Sequence, residues 1–343
     1  MKTYLEIIPE SIQCIKMTDA EYFSSKYKDY VSNSKLGLIN PEQGGSVEKY
    51  NKGFSGGFNA SFELGSAVHG EMLQPGEFVI ADIYKPTAKL GLFAEEVYKF
   101  RQEGNTIEDS INLARESADY YQKGFTANRR SNAIKKSLGF YLQRMKYVED
   151  PIKVPLFLSE KDAIKFHECV KSIKGDKEMM SYLEPEGLLE DPEIYNEYAI
   201  LCEVKVTREG EPDQILKVKA KIDNFTIDHE MQVVNLNDLK TTGRPVAWFM
   251  GQKVDKGPDV GHIWMDGSFE KYHYYRQSAF YMWLLQSYLN ESCKGYTFRT
   301  NFLVVETNPE YKCKVIKVPN KWVQEGLKES KELLILVANE QKG

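Results

Sequence analysis

The spacing of apolar positions changes character along this chain. In ASFELGSAVHGEMLQP (residues 60–75) Leu64, Val68 and Met72 recur at every fourth position, which predicts a helix that carries His69 and ends at Pro75. From about residue 90 to 183 the period stays helical, with breaks near Gly104, Gly124 and Pro151. At about residue 193 it shortens to two. IYNEYAILCEVKV, QILKVKAKIDNFTI and MQVVNLNDL read as strands joined by the turn formers REGEPD and DHE, an antiparallel meander. PVAWFMGQ and SFEKYHYYRQSAFYMWLLQSYL (268–289) return to helical spacing, YTFRTNFLVVET and KCKVIKVP read as strands, and NKWVQEGLKESKELLILVANEQ as a closing helix. The first forty residues mix short helical pieces with the polar YVSNSKL (30–36), and GGSVEKYNKGFSGGFN (44–59) reads as glycine-rich loop. The expected fold is mixed α/β (α+β). A mainly helical region (1–190) precedes a central mixed β-sheet flanked by helices (191–343), and the two halves form one compact domain.

The meander concentrates charge where a sheet is normally apolar. In LKVKAKID, alternation puts Val218, Ala220 and Ile222 on one face and Lys217, Lys219, Lys221 and Asp223 on the other, so Asp223 ends its strand on a charged face. In the next strand Val234, Leu236, Asp238 and Lys240 share a face, the last two roughly 7 Å apart along the strand. Because these strands are hairpin neighbours, Asp223 and Asp238 can lie side by side. Two close carboxylates repel unless a proton or a cation intervenes. A hard divalent ion such as Mg²⁺ meets that need: it takes a few carboxylate oxygens, keeps several waters, and is completed by substrate phosphate. Lys240 can then hold an attacking water or offset charge that develops on a phosphorane.

For the bare Asp-x-Lys the plain alternative is a weak surface ion pair. The context adds a preceding strand that ends in Asp, a Thr-Thr-Gly exit, and RQSAFY, whose Gln277 and Tyr281 stand at i and i+4 of a helix. Taken singly, Gln277 also suits a half-buried helix position and Tyr281 a core. Glu197 and Glu203, on the first strand of the meander, read as solvated, with an approach to a metal through water as the other option.

Together, KIDNF, NLNDLKTTG and YRQSAFY resemble the PD-(D/E)XK nuclease superfamily in its RecB/RecE branch, the phage-type RecE-like or lambda-type exonucleases. LGSAVHGEML resembles that branch's histidine-bearing helix, and YVSNSKL its N-terminal Ser-Asn-Ser segment, so the resemblance spans roughly residues 30–290 in the family's order. It implies a restriction-endonuclease-like core with two Mg²⁺ (or Mn²⁺) ions held by His69, Asp223, Asp238 and the backbone carbonyl of Leu239. It also implies Lys240 at the nucleophilic water, with Gln277 and Tyr281 placing the DNA strand or bracing Lys240. Ser32, Ser34 and Lys35 would meet a terminal 5′-phosphate. The implied activity is exonuclease digestion of linear double-stranded DNA from 5′ ends, leaving 3′ overhangs for a single-strand annealing protein, by a homo-oligomeric ring of three or four subunits. One departure is the spacing of Asp223 and Asp238, slightly long for the family, which the TIDHEMQ hairpin absorbs.

Composition narrows the field further. The five cysteines are scattered without a C-x-x-C pair, which opposes a zinc knuckle and the iron–sulfur cluster carried by some members of the superfamily. No apolar run approaches a bilayer span and the N-terminus lacks a signal-like apolar stretch, so the expectation is a cytoplasmic protein without a membrane partner. Net charge is −5, yet residues 121–147 hold Lys123, Arg129, Arg130, Lys135, Lys136, Arg144 and Lys146 and no acid. This run, interleaved with Tyr120, Tyr121, Phe125, Phe140, Tyr141 and Tyr147, is either a DNA-tracking surface or a solvated helix face with core aromatics. Two other functions fit the same residues: a structure-specific or single-strand endonuclease, and a non-catalytic DNA-binding scaffold.

Overall fold

Why the period-two segments build one sheet is visible in their order along the chain, which the computed structural model describes for residues 3–53, 60–81, 83–117, 127–149, 154–255 and 262–341. The chain begins with β1 (Thr3–Ile7), β2 (Gln13–Lys16), α1 (Asp19–Tyr22), α2 (Asn33–Ile39) and α3 (Val47–Lys52). A helical stretch follows: α4 (Ala60–Leu73), β3 (Phe78–Ile80), α5 (Ala88–Gln102), α6 (Ile107–Ser117), α7 (Ala127–Glu149), β4 (Val154–Leu156), α8 (Glu160–Gly175) and α9 (Lys177–Leu183). The remainder is β5 (Glu193–Arg208), β6 (Gln214–Asp228), β7 (Val233–Thr242), β8 (Gln252–Asp255), β9 (His262–Met265), α10 (Ser268–Lys271), α11 (Tyr274–Tyr288), β10 (Thr297–Glu306), β11 (Cys313–Lys317) and α12 (Asn320–Glu340).

Two compact units divide these elements, one of residues Met1–Phe58 with Lys171–Gly343, the other Asn59–Val170. The first holds a mixed sheet in the order β1-β5-β6-β7-β10-β11, with β2 also paired to β5. All its pairings are antiparallel except β7 with β10, which run parallel. A parallel neighbour requires a crossover, and the segment that contains α10 and α11 supplies it. That connection brings α11 onto the strand bearing Asp238. Phe280, Leu284 and Leu285 of α11 pack in one buried cluster with Val234 and Leu236 of β7 and with Leu333, Leu334 and Val337 of α12. The two helices approach closely at Gly326, where a Cβ would stand 2.3 Å from the Tyr275 carbonyl oxygen.

The second unit is helical around Phe93, Val97, Ala114 and Tyr141. Its short strands β3 and β4 pair in parallel. Lys85 is buried there and ion-paired to Glu63 (2.8 Å) and Glu95 (3.0 Å), and Glu95 also accepts from Arg144 at 2.8 Å. No helix among the described residues is long and apolar enough to cross a membrane.

The mixed α/β class with its central sheet and meander agrees with the sequence pattern, and several details differ. Residues 3–16 are largely strand, because β1 and β2 complete the outer edge of β5. Residues 47–52 form α3, capped by the Ser46 hydroxyl. The segment 268–289 is two helices, since His273 takes φ 52° between them. Asp223 does not end its strand: β6 continues to Asp228.

Arg276 ties α11 to its neighbours. The side chain is 2% exposed and donates to Asn33 Oδ1, Gln43 Oε1 and Glu329 Oε1, each at 2.9 Å, while Glu329 also accepts from Asn40 Nδ2 at 2.8 Å. Removing one partner of a buried pair strands the other, at about 3–5 kcal/mol. Arg276→Ala is therefore expected to lower unfolding stability in denaturant by that amount, and the double variant Arg276→Met/Glu329→Leu by much less. A loss below about 1 kcal/mol in Arg276→Ala would contradict this.

Candidate active site

Pairing between β6 and β7 stops at Asn224 opposite Asn237, one step before Asp223 and Asp238. Past that step the Asp223 carboxylate takes the place of a backbone acceptor: its Oδ2 receives the Leu239 N–H at 3.0 Å. The N–H and C=O of one strand residue project to the same edge, so the Leu239 carbonyl faces the gap into which Asp223 reaches. Asp238 is 3% exposed. One of its oxygens pairs with Lys240, and the other accepts from Gln277 Nε2 at 2.5 Å. Gln277 is also hydrogen-bonded to the Tyr281 hydroxyl, which burial keeps protonated far beyond the usual phenol range. The structure thus brings Asp223, Asp238, Lys240, Gln277 and Tyr281 into one constellation, with α11 supplying the last two across the crossover.

The electrostatics assign a role to the lysine. Burial pushes the Lys240 ammonium down, but Asp238 foremost, then Asp223 and the Tyr274 ring, outweigh it and raise the group above its ordinary value. Lys240 is therefore a cation at neutral pH, fit to donate hydrogen bonds and offset negative charge and unfit to act as a base.

A further acid, read from the sequence as solvated, belongs here. Glu197 lies on β5 between the pairs Asn196–Asn224 and Tyr198–Ile222, which sets it opposite Asp223. It is 6% exposed. A Glu197 carboxylate oxygen and one of Asp223 lie within 4.8 Å. Its φ of 60° is in the left-handed region, a strain of about 1–3 kcal/mol for a residue with a side chain. The apolar alternation changes phase at this level: Tyr198 and Ile222 on one side, Tyr195 and Phe225 on the other, all pack in one core. Burial first, and Asp223 second, push the Glu197 carboxyl up to about 7, against the pull of Lys221. Lys221 pairs with Glu197 and, at 2.5 Å, with Asp19. No periodicity rule places a left-handed residue inside a strand, which is why a pattern of exposed charge misplaced Glu197. The crowded hard oxygen donors fit a divalent cation, which would offset the Asp223 repulsion that adds to burial in raising Glu197.

The other residues singled out by the sequence belong to other elements of the chain. His69 sits half-buried on α4, in the second unit. Ser32 caps α2, its hydroxyl accepting the Lys35 N–H at 3.3 Å, and Ser34 is exposed on that helix. The Lys35 ammonium donates to the Lys28 carbonyl at 3.1 Å and lies over the Tyr50 ring. Arg129 and Arg130 belong to α7, but their side chains, like Tyr120, Tyr121, Lys123 and Phe125 altogether, fall outside the described residues. Lys135, Lys136 and Lys146 are exposed on α7, whereas Phe140 and Tyr141 are buried and Arg144 is paired to Glu95 over the Tyr98 ring.

No protein-family profile and no curated protein matches the chain. Among solved structures, that of a "putative exonuclease" from Eubacterium rectale aligns with 96% of this chain and 88% of its own, at 13% identity and a TM-score of 0.49. A protein from Vibrio cholerae aligns with 81% of this chain and 57% of its own, at 13% identity and a TM-score of 0.15. Likeness of this degree leaves the chemistry to the residues themselves.

A carboxyl raised on folding binds protons more tightly in the native state, so the metal-free protein should lose stability as pH rises from about 4.5 to about 7 through Glu197. Glu197→Gln is expected to raise stability by about 1–3 kcal/mol at neutral pH, with the gain vanishing below about pH 4.5. Thermal melts across that range check it; a gain that persists at pH 4 would contradict the assignment.

Proposed function

We propose that this chain is a metal-dependent nuclease that hydrolyses phosphodiester bonds of DNA. The observation that carries the reading is the constellation of Asp223, Asp238 and Glu197 on three adjacent strands, with a lysine kept cationic beside them and braced by α11. The donor oxygens of Asp223, Asp238, Glu197 and the Leu239 carbonyl would hold Mg²⁺ or Mn²⁺, two ions in the arrangement the resemblance implies. Bound there, such an ion lowers the pKa of a water and neutralises charge on the phosphoryl oxygens.

The protein's own groups do the rest. Lys240, cationic at working pH, donates to the attacking water or to a phosphoryl oxygen, stabilising the charge that grows as the phosphorus–oxygen bond breaks. Gln277 fixes Asp238 through one oxygen while Lys240 takes the other, so the carboxylate cannot rotate away. Tyr281, neutral, holds Gln277 in turn. For His69 the ligand role is the one the resemblance implies.

The fuller reading is an exonuclease of the RecE-like type that acts on linear duplex ends, 5′ to 3′, as a homo-oligomeric ring supplying 3′ overhangs to an annealing protein. Ser32, Ser34 and Lys35 would then meet a terminal phosphate. Arg129, Arg130, Lys135 and Lys136 would track the DNA backbone, a contact that salt weakens.

Asp238→Asn and Lys240→Ala are each expected to reduce turnover on linear duplex by about 10²–10³-fold or more, with folding and most DNA binding retained. His69→Ala is expected to raise the Mn²⁺ concentration needed for half-maximal activity at least about tenfold. Turnover within a few-fold of the wild type in folded Lys240→Ala would refute the site.

A further inference from the structure

Beside each of the three acids stands an asparagine: Asn196 precedes Glu197, Asn224 follows Asp223, and Asn237 precedes Asp238. The register aligns Asn196 with Asn224, Asn224 with Asn237, and Asn237 with Asn301 of β10, so the amides form one row across four strands. They are joined in a single direction. Asn301 donates to Asn237 at 2.9 Å, Asn237 to Asn224 at 2.7 Å, and Asn224 to Asn196 at 2.7 Å. The second hydrogen of the Asn237 amide goes to the Tyr182 carbonyl of α9 at 3.0 Å. Asn224, Asn237 and Asn301 are each 1% exposed.

Asparagine is disfavoured in strands, and a buried amide is costly unless it is bonded, so a continuous row has a geometric consequence. Slipping any strand by one residue would set an amide against an apolar residue in one direction and against an acid or Thr300 in the other, and either slip breaks the row of amides. We propose that the asparagine ladder is a register lock that sets Glu197, Asp223 and Asp238 level with one another, making Asn224 and Asn237 positioning residues of the candidate active site. The row crosses the sheet where its apolar alternation changes phase and where β6 and β7 stop pairing, the place at which packing alone specifies register least. This inference rests on the proposed nuclease only for its consequence in metal binding; the lock itself is a property of the metal-free sheet.

The test pairs two readouts on Asn237→Leu, on the milder Asn196→Ala at the half-buried end of the row, and on Leu333→Ala, a core truncation in α12. The first is hydrogen exchange of the Leu239 amide, which reports the bond to Asp223 without metal or DNA. The second is Mn²⁺ binding by calorimetry. The ladder predicts at least tenfold faster Leu239 exchange and at least tenfold weaker Mn²⁺ binding in Asn237→Leu, a smaller change of the same sign in Asn196→Ala, and neither change beyond twofold in Leu333→Ala. Unaltered Leu239 exchange in both asparagine variants, or the same loss in Leu333→Ala, would overturn it. Should Asn237→Leu fail to fold, Asn196→Ala decides. If the wild-type protein binds no Mn²⁺, the nuclease reading fails while the exchange readout still decides the lock.

Discussion

Repulsion between a buried carboxylate and a half-buried one beside it is the constraint around which this sheet is organised. Glu197 is buried and comes within 4.8 Å of the half-buried Asp223; burial first, and Asp223 second, hold its proton up to about pH 7. Such an arrangement is unfavourable for an isolated fold and persists only where the surroundings over-determine it. The compensations are specific. Lys221 stands between Glu197 and Asp19, Lys240 and Gln277 divide the two oxygens of Asp238, and Asp223 is held by a backbone amide. Strain in the Glu197 backbone is a further cost that core packing has no use for.

The surrounding architecture explains how these costs are met. A parallel β7–β10 pair demands a crossover, and that crossover carries α11 with Gln277 and Tyr281 on the turns that reach Asp238. One residue before Gln277, Arg276 anchors the helix to α2 and α12 through buried hydrogen bonds. On the strands, the amide row fixes register at the level of the acids. Scaffold and site are thus coupled residue by residue: Arg276 anchors and Gln277 reaches, Asn224 and Asn237 lock while Asp223 and Asp238 carry the charge.

Much of this was legible from the chain. Period-two spacing gives the meander; Asp238 and Lys240 stand out because charge at strand positions facing a core needs a reason, and Gln277 and Tyr281 because they stand at i and i+4 of the helix that follows. What stayed hidden has physical causes. β1 and β2 are short strands at the outer edge of β5, with too few positions to show a period. Glu197 reads as surface because alternation assumes extended backbone throughout, and its φ of 60° breaks that assumption. The asparagines did leave a signal: Asn-Glu in IYNEY, Asp-Asn in KIDNF and Asn-Asp in NLNDL place an amide beside an acid in each strand of the meander, a repetition visible only once the strands are aligned in register.

The most direct test of the central claim is digestion of 5′-phosphorylated linear duplex beside a covalently closed circle of the same sequence, with Mg²⁺, Mn²⁺ or EDTA. The acid–lysine constellation, working as an end-dependent nuclease, predicts shortening of the linear duplex alone, with either metal and not with EDTA. Folded protein that leaves the linear duplex intact with both metals, or that shortens it equally in EDTA, would contradict the claim that these carboxylates are a cation-dependent hydrolytic site.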